Sequence, residues 1–212
     1  MKPSIDQILD TVFHASSREE LSKTYYDWAS NYDADMQTTG YVHPAIMAGL
    51  VSRYVKNAEA TILDAGVGTG NIGQLLAILG YSNLIGIDMS DGMLARAKAR
   101  NIYADLKNQI LGERLEFLDA SIDCIVSTGT FTTGHAPASA FDELVRITKP
   151  GGYLIFTVGS AVWQEAGFEV KLDALEATGL VEKIEVTTLY HPMPLSETES
   201  GFAARAHVYR KL

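Results

Sequence analysis

The run ILDAGVGTGNIG, residues 62–73, restricts the fold of this chain more than any other stretch. It reads as a short buried strand, a glycine-rich turn and the start of a helix. A strand that passes through such a turn straight into a helix opens a βαβ unit, and βαβ units build parallel sheets. The residues downstream keep the rhythm. NIGQLLAILG reads as a helix stopped by Gly80, NLIGID as a strand, and DGMLARAKARNIYADL (91–106) as a helix with Asp91 near its positive end. NQIL (108–111) is a weak strand and SIDCIVST (121–128) a strong one. PASAFDELVRIT is a helix ended by Pro150 and the two glycines after it, and GYLIFTVG is the next strand.

The two ends depart from this alternation. IDQILDTVFHA spaces Ile5, Ile8, Leu9, Val12 and Phe13 at helical intervals. A second helix begins near Arg18, and HPAIMAGLVSRYV gives a third with Pro44 in its first turn. At the other end, a helix around EVKLDALEATG is followed by two strand-like runs, VEKIEVTTLYH and AARAHVYRKL, with no helix between them. Such strands are expected to pair antiparallel. The expected fold class is therefore α/β: a three-layer, Rossmann-like sandwich on a mostly parallel seven-stranded sheet, closed by an antiparallel C-terminal strand. The chain reads as a single domain, 1–212, with helices in 1–57 and the sheet in 58–212.

Charge and cysteine content narrow the function classes. A net charge of −9 argues against binding a nucleic-acid backbone, which needs clustered Lys and Arg. One cysteine, Cys124, rules out a disulfide within the chain and fits an intracellular protein. The N-terminal run lacks the apolar stretch of a secretory signal, and no stretch is long and apolar enough to span a bilayer. A cytoplasmic protein without membrane contact is expected. The histidines and acids show no metal-ligand spacing.

Gly68, Gly70 and Gly73 satisfy the dinucleotide fingerprint, and Asp88 ends the next strand where a ribose-binding acid would lie. Asp64, at the carboxyl end of the first strand, argues against a pyrophosphate beside it. Two unit charges at 4 Å interact by about 1 to 4 kcal/mol at effective dielectrics of 80 to 20. A carboxylate there favours a ligand bearing an ammonium group. No Gly-Lys-Ser/Thr follows the turn, so it is not a P-loop.

S-adenosylmethionine (SAM) has an amino group, a ribose, an adenine and no phosphate. ILDAGVGTG, IGIDMS and KPGGYLIFTV resemble, in that order, the signature segments of class I SAM-dependent methyltransferases. The resemblance runs from about residue 20 to the end of the chain. It implies that Asp64, Ala65, Gly66, Gly68 and Gly70 line the methionine end of the cofactor. It gives the ribose hydroxyls to Asp88 and the adenine face to Met89, and adds Thr128 at the head of the loop TGTFTTGHAP. An acidic residue after the third strand, common in such enzymes at the adenine amino group, is missing from ILGERLEF.

YYDWASNYDADM matches a Y-x-x-x-A-x-x-Y-D segment seen upstream of the glycine loop in many small-molecule methyltransferases. There it forms a helical lid, so Tyr25 and Tyr32 are expected at the cofactor. Together with TFTTGHAP and ELVRITKPGGYL, it makes the chain similar to the methyltransferase-like proteins of the Williams–Beuren region. The implied reaction moves a methyl group from SAM to a small-molecule acceptor and leaves S-adenosylhomocysteine. His135, in the loop that faces the transferred methyl group in this fold, is the candidate base; His191 and Glu197 are weaker candidates at the pocket's edge. A protein or RNA methyltransferase, a SAM-binding module without catalysis and an NAD-binding oxidoreductase are the competing readings.

Overall fold

The computed structural model describes residues 3–212. At its centre lies the strand β1 (Ile62–Ala65), buried along its whole length. Alternation splits its side chains between two cores. Leu63 and Ala65 enter one hydrophobic cluster, and Ile62 enters the other. Around β1 the sheet runs in the order β3-β2-β1-β4-β5-β7-β6. Its other strands are β2 (Leu84–Asp88), β3 (Asp105–Asn108), β4 (Ile122–Phe131), β5 (Thr148–Gly159), β6 (Val181–Val186) and β7 (Ala204–Lys211). The pairings from β3 through β5 are all parallel. β7 runs antiparallel to both β5 and β6. This is the seven-stranded, Rossmann-like sheet with a reversed C-terminal strand that the sequence pattern implies.

Helices cover both faces. α7 (Ala140–Ile147) and α9 (Phe168–Ala177) pack Phe141, Leu144, Phe168 and Leu172 on the side of Leu63. α4 (His43–Tyr54) and α5 (Asn71–Ile78) pack Met47, Val51, Ile72 and Leu76 on the side of Ile62. α6 (Asp91–Ala99) follows β2, and a short α8 (Val162–Glu165), absent from the sequence reading, follows β5. At the N-terminal end, α1 (Ile5–Phe13), α2 (Arg18–Trp28) and α3 (Tyr32–Thr38) form a smaller core of their own with Met193 from the β6–β7 segment.

Three local expectations need correction. The helix expected over 91–106 ends at Ala99, and Asn101 takes a left-handed φ of 53°. The chain leaves the helix so that Arg100 can donate to the Thr69 carbonyl and Tyr103 can slot beneath the glycine turn. The third strand is 105–108, not 108–111. It is a sheet edge, partly exposed and polar, so hydrophobic alternation does not reveal it. Finally, α7 stops at Ile147, before Pro150, and β5 starts at once. Residues 149–152 bulge between the pairs Ile122↔Thr148 and Cys124↔Tyr153.

Candidate active site

Strand order reverses at β1: β2 follows on one side and β4 lies on the other. Open α/β sheets bind ligands beyond the carboxyl ends of the strands at such a point. A cavity opens there, with about 950 Å³ of unfilled space that includes open solvent at its mouth. Gly66 and Gly68 form its floor after β1, Asp88 and Met89 flank it after β2, and Gln109, Ile110 and Leu111 close it after β3. Thr128, Gly129 and Thr130 come from the end of β4, and His135 from the loop beyond. Tyr25 of α2, Tyr32 of α3 and Tyr41 from the α3–α4 connection roof it.

The backbone of the turn explains the glycines. Gly66 adopts φ of 81°, and a side chain on it would run into the Thr130 hydroxyl. Gly68 donates its N–H to Asp88 Oδ2 at 2.9 Å, and Ser90 N–H donates to Oδ1 at 2.9 Å. One bond per oxygen leaves lone pairs free for two further donors. Burial raises the Asp88 pKa, and the backbone donors oppose that rise. Two side-chain atoms on the cavity wall, Thr128 Oγ1 and Gln109 Nε2, are buried without a hydrogen-bond partner among the described residues. Gln109 Oε1 is already used by the Glu116 N–H at 3.1 Å. Buried orphans of this kind are uncommon in proteins.

Three sequence candidates are not on this wall. Asp64, Ala65 and Gly70 lie behind the turn. Tyr103 donates to Asp64 Oδ2 at 2.7 Å, while Oδ1 has no partner among the described residues. Burial pushes the Asp64 carboxyl up to about 7, with the Tyr103 bond pulling the other way. The Tyr103 hydroxyl fills the space that a Gly73 side chain would occupy, so the third glycine of the fingerprint admits a tyrosine of this protein. Ala65 contributes its carbonyl, which accepts from Ser127 Oγ at 2.7 Å.

The roof is tied down at one corner. Asp33, at the start of α3, accepts from Thr69 Oγ1 at 2.5 Å, from Asn71 Nδ2 at 3.0 Å and from Arg100 at 2.7 Å. This clamp fastens α3 to the glycine turn. Sequence reasoning found neither Arg100 nor Tyr41, Gln109 and Tyr103. Each meets the site across the fold and carries no local motif.

Tyr25 and His135 meet at 2.8 Å between the Tyr25 hydroxyl and Nε2. Nδ1 of the same ring lies 2.7 Å from the Thr133 carbonyl oxygen. A carbonyl only accepts, so Nδ1 carries the proton and Nε2 accepts from Tyr25. Burial lowers the His135 pKa, the Thr133 bond opposing it, and burial raises that of Tyr25. Both shifts favour a neutral imidazole facing a neutral phenol. Behind it lies a second, smaller cavity, with about 510 Å³ of unfilled space when open solvent at its mouth is included, which also touches Tyr25, Tyr32, Tyr41, Gly129 and His135. Among the described residues no group of His, Cys, Asp and Glu could hold a metal ion, and no helix is long and apolar enough to cross a membrane.

Comparison of the chain with known proteins gives its class. Residues 63–156, from β1 into β5, match the family described as "Methyltransferase domain". The chain belongs to the class I SAM-dependent methyltransferases and is an enzyme of that class. It is 33% identical over 165 residues to human Methyltransferase-like protein 27, a match covering 74% of this chain and 67% of that protein. It is 32% identical over 149 residues to a malonyl-[acyl-carrier protein] O-methyltransferase of Marinomonas sp., covering 67% of this chain and 52% of that one. The match thus spans about half the length of this second relative. In fold, it resembles a chain from the complex between the Haloferax volcanii Trm112 methyltransferase activator and a methyltransferase. The TM-score is 0.64 at 20% identity, covering 88% of this chain and 97% of the other.

Proposed function

We propose that this protein methylates a small molecule, with SAM bound in the larger cavity and His135 Nε2 taking the acceptor's proton. The observation that carries the reading is the meeting of two cavities at His135.

The larger cavity fits the cofactor. Asp88 has lone pairs to spare for a ribose diol, and Met89, Ile110 and Leu111 offer apolar surface to an adenine. The orphaned Gln109 amide stands after β3, where no acid is present, and can donate to a ring nitrogen. Among the described residues, neither Lys nor a second Arg joins Arg18 on the wall, and Arg18 is paired with Glu113 at 2.5 Å, so the cavity is poorly suited to a pyrophosphate. Bound SAM supplies a methyl group already activated on a positively charged sulfur and leaves as S-adenosylhomocysteine. The protein's share is then orientation, exclusion of water and removal of one proton. Thr133 holds the His135 ring in the tautomer whose basic nitrogen faces the cavities. Tyr25 occupies that nitrogen until an acceptor displaces it.

A malonyl group, in the name of one set of relatives, carries a carboxylate. Among the described residues, no Lys or Arg lines the cavity behind His135, so we do not extend that acceptor to this chain. With one cysteine and an acidic charge, we place the protein in the cytoplasm without a nucleic-acid partner.

Calorimetry on the purified protein tests the cofactor. S-adenosylhomocysteine should bind and NAD should not, and Asp88→Ala should weaken the former at least tenfold, since charge-assisted hydrogen bonds are worth roughly 1.5–3 kcal/mol each. Formation of S-adenosylhomocysteine from SAM with a metabolite extract tests the base. His135→Gln should keep cofactor affinity and slow turnover by about 10²- to 10⁴-fold. Tight NAD binding would refute the cofactor, and full turnover in His135→Gln would refute the base.

A further inference from the structure

The second cavity has a composition that restricts what can enter it. Its outer wall is Leu9, Val12 and Phe13 of α1, with Met193 and Phe202 from the β6–β7 segment and Trp28 from the end of α2. Phe13 and Phe202 stack with ring centroids 5.8 Å apart, and Trp28 meets Tyr32 at 4.6 Å. Among the described residues, no Lys, Arg, Asp or Glu lies on this wall. Its polar groups are the three tyrosines, two histidines and two threonines. The tyrosines and His135 also border the larger cavity, so much of the polarity lies at the boundary between the two chambers. Thr132 Oγ1 is buried there with no partner among the described residues, whereas Thr157 Oγ1 on the same wall accepts from the Gly129 N–H at 2.8 Å.

We propose that this chamber seats the methyl acceptor, and that the acceptor is an uncharged, largely apolar molecule presenting one protic group to His135 and Thr132. The inference rests on the cofactor occupying the larger cavity. Burying an ionised group without a partner is strongly disfavoured, and among the described residues the chamber holds no opposite charge to offset it. Both histidines face it as neutral rings, because burial holds their pKa values down, His43 to about 3. His43 Nδ1 is engaged with the Tyr190 hydroxyl at 2.7 Å. The aromatic walls suit a flat or ring-shaped body, and the orphaned Thr132 hydroxyl offers a hydrogen bond that the protein itself leaves unmade.

Two probes that differ in one group test this. p-Cresol and 4-hydroxybenzoate share the ring and the hydroxyl, but the second carries a carboxylate. The chain has two tryptophans, so Trp163→Phe leaves Trp28 as the reporter on the chamber wall. Each probe is titrated against its fluorescence with S-adenosylhomocysteine saturating. A saturable response to p-cresol, at least tenfold tighter than that to 4-hydroxybenzoate, is expected. Gly159→Leu, whose side chain would press on the Phe202 ring and Thr132, should abolish it. An absent p-cresol response, equal or tighter binding of the carboxylate, or an unaltered response in folded Gly159→Leu overturns the inference. Failure of the parent protein to bind S-adenosylhomocysteine overturns instead the reading on which it rests.

Discussion

Tyr103 accounts for the third glycine of the turn. Its hydroxyl lies where a Gly73 side chain would project, and it donates to the buried Asp64 carboxylate. Gly73 therefore serves close packing of the protein on itself. Gly73→Ala should act as an overpacked core substitution and cost about 1–3 kcal/mol in chemical denaturation. The same substitution made on Tyr103→Leu should cost less, because the obstructing hydroxyl is gone. Equal costs in the two backgrounds would show that Tyr103 is not what Gly73 makes room for. The arrangement also changes the meaning of Asp64. Its sequence position suggested an anion beside the ligand, but its side chain is behind the turn with a pKa near neutrality. What sequence position cannot say is to which face of β1 a residue turns. Alternation sends Asp64 with Ile62 to the α5 side and leaves the cavity to the glycines beyond the strand.

Among the elements, legibility follows burial. β1 and the first half of β4 are mostly apolar, with Ile62, Leu63 and Ala65 in one and Ile122, Cys124, Ile125 and Val126 in the other, because both their faces are covered, and the sequence shows them plainly. β3 is an edge strand spelled DLKN, with no apolar face to betray it. The end of α6 was hidden for another reason. ARAKARNIYADL suits a helix, but the contacts of Arg100 with Thr69 and Asn71 and of Tyr103 with Asp64, far apart in sequence, outweigh that local preference. The candidate site divides in the same way. Asp88, Met89 and Thr128 stand at strand ends, and Tyr25 and Tyr32 in a recognisable segment, so all were visible. Gln109 and Tyr41 enter through the fold alone. The roof shows what this means for motion. α2 buries only Leu21 and Trp28, whereas α3 is clamped through Asp33 to Thr69, Asn71 and Arg100. Hydrogen exchange should therefore split the lid. Residues 18–29 should gain protection when S-adenosylhomocysteine is added, while 32–38 should be protected with or without it. In Arg100→Gln, 32–38 should become ligand-dependent as well. Equal protection of 18–29 in both states would make α2 a permanently docked helix.

At the scale of the molecule, burial of titratable rings sets how the fold responds to acid. His207 on β7 is sandwiched between Phe156, with centroids 5.5 Å apart and planes 4° from parallel, and Trp163 at 4.8 Å. Both ring nitrogens are buried and lack partners among the described residues. Burial, aided by the nearby Arg205 and Lys183, lowers its pKa to about 4. The unfolded chain binds the proton near 6.5, so between about 6.5 and 4 protonation favours unfolding. The wild-type protein thus loses stability at this site as pH falls through that window. The pull is countered elsewhere: Asp64, raised to about 7, takes up its proton more readily when folded and so gains stability as pH falls from 7 towards 3.8. A bulk acid melt would blend the two, and a substitution separates them. His207→Phe keeps the stack, removes two unsatisfied nitrogens and removes the titration. It should stabilise the protein by roughly 1 kcal/mol or more at pH 8, from the desolvation cost of unpaired polar atoms. The advantage should widen on acidification by up to about 3 kcal/mol at pH 4, at ~1.4 kcal/mol per pKa unit. Denaturant midpoints of the two proteins at pH 8, 6 and 4 give the comparison. A gap that stays constant, or narrows as pH falls, would mean that His207 is protonated in the fold and finds a partner for its charge.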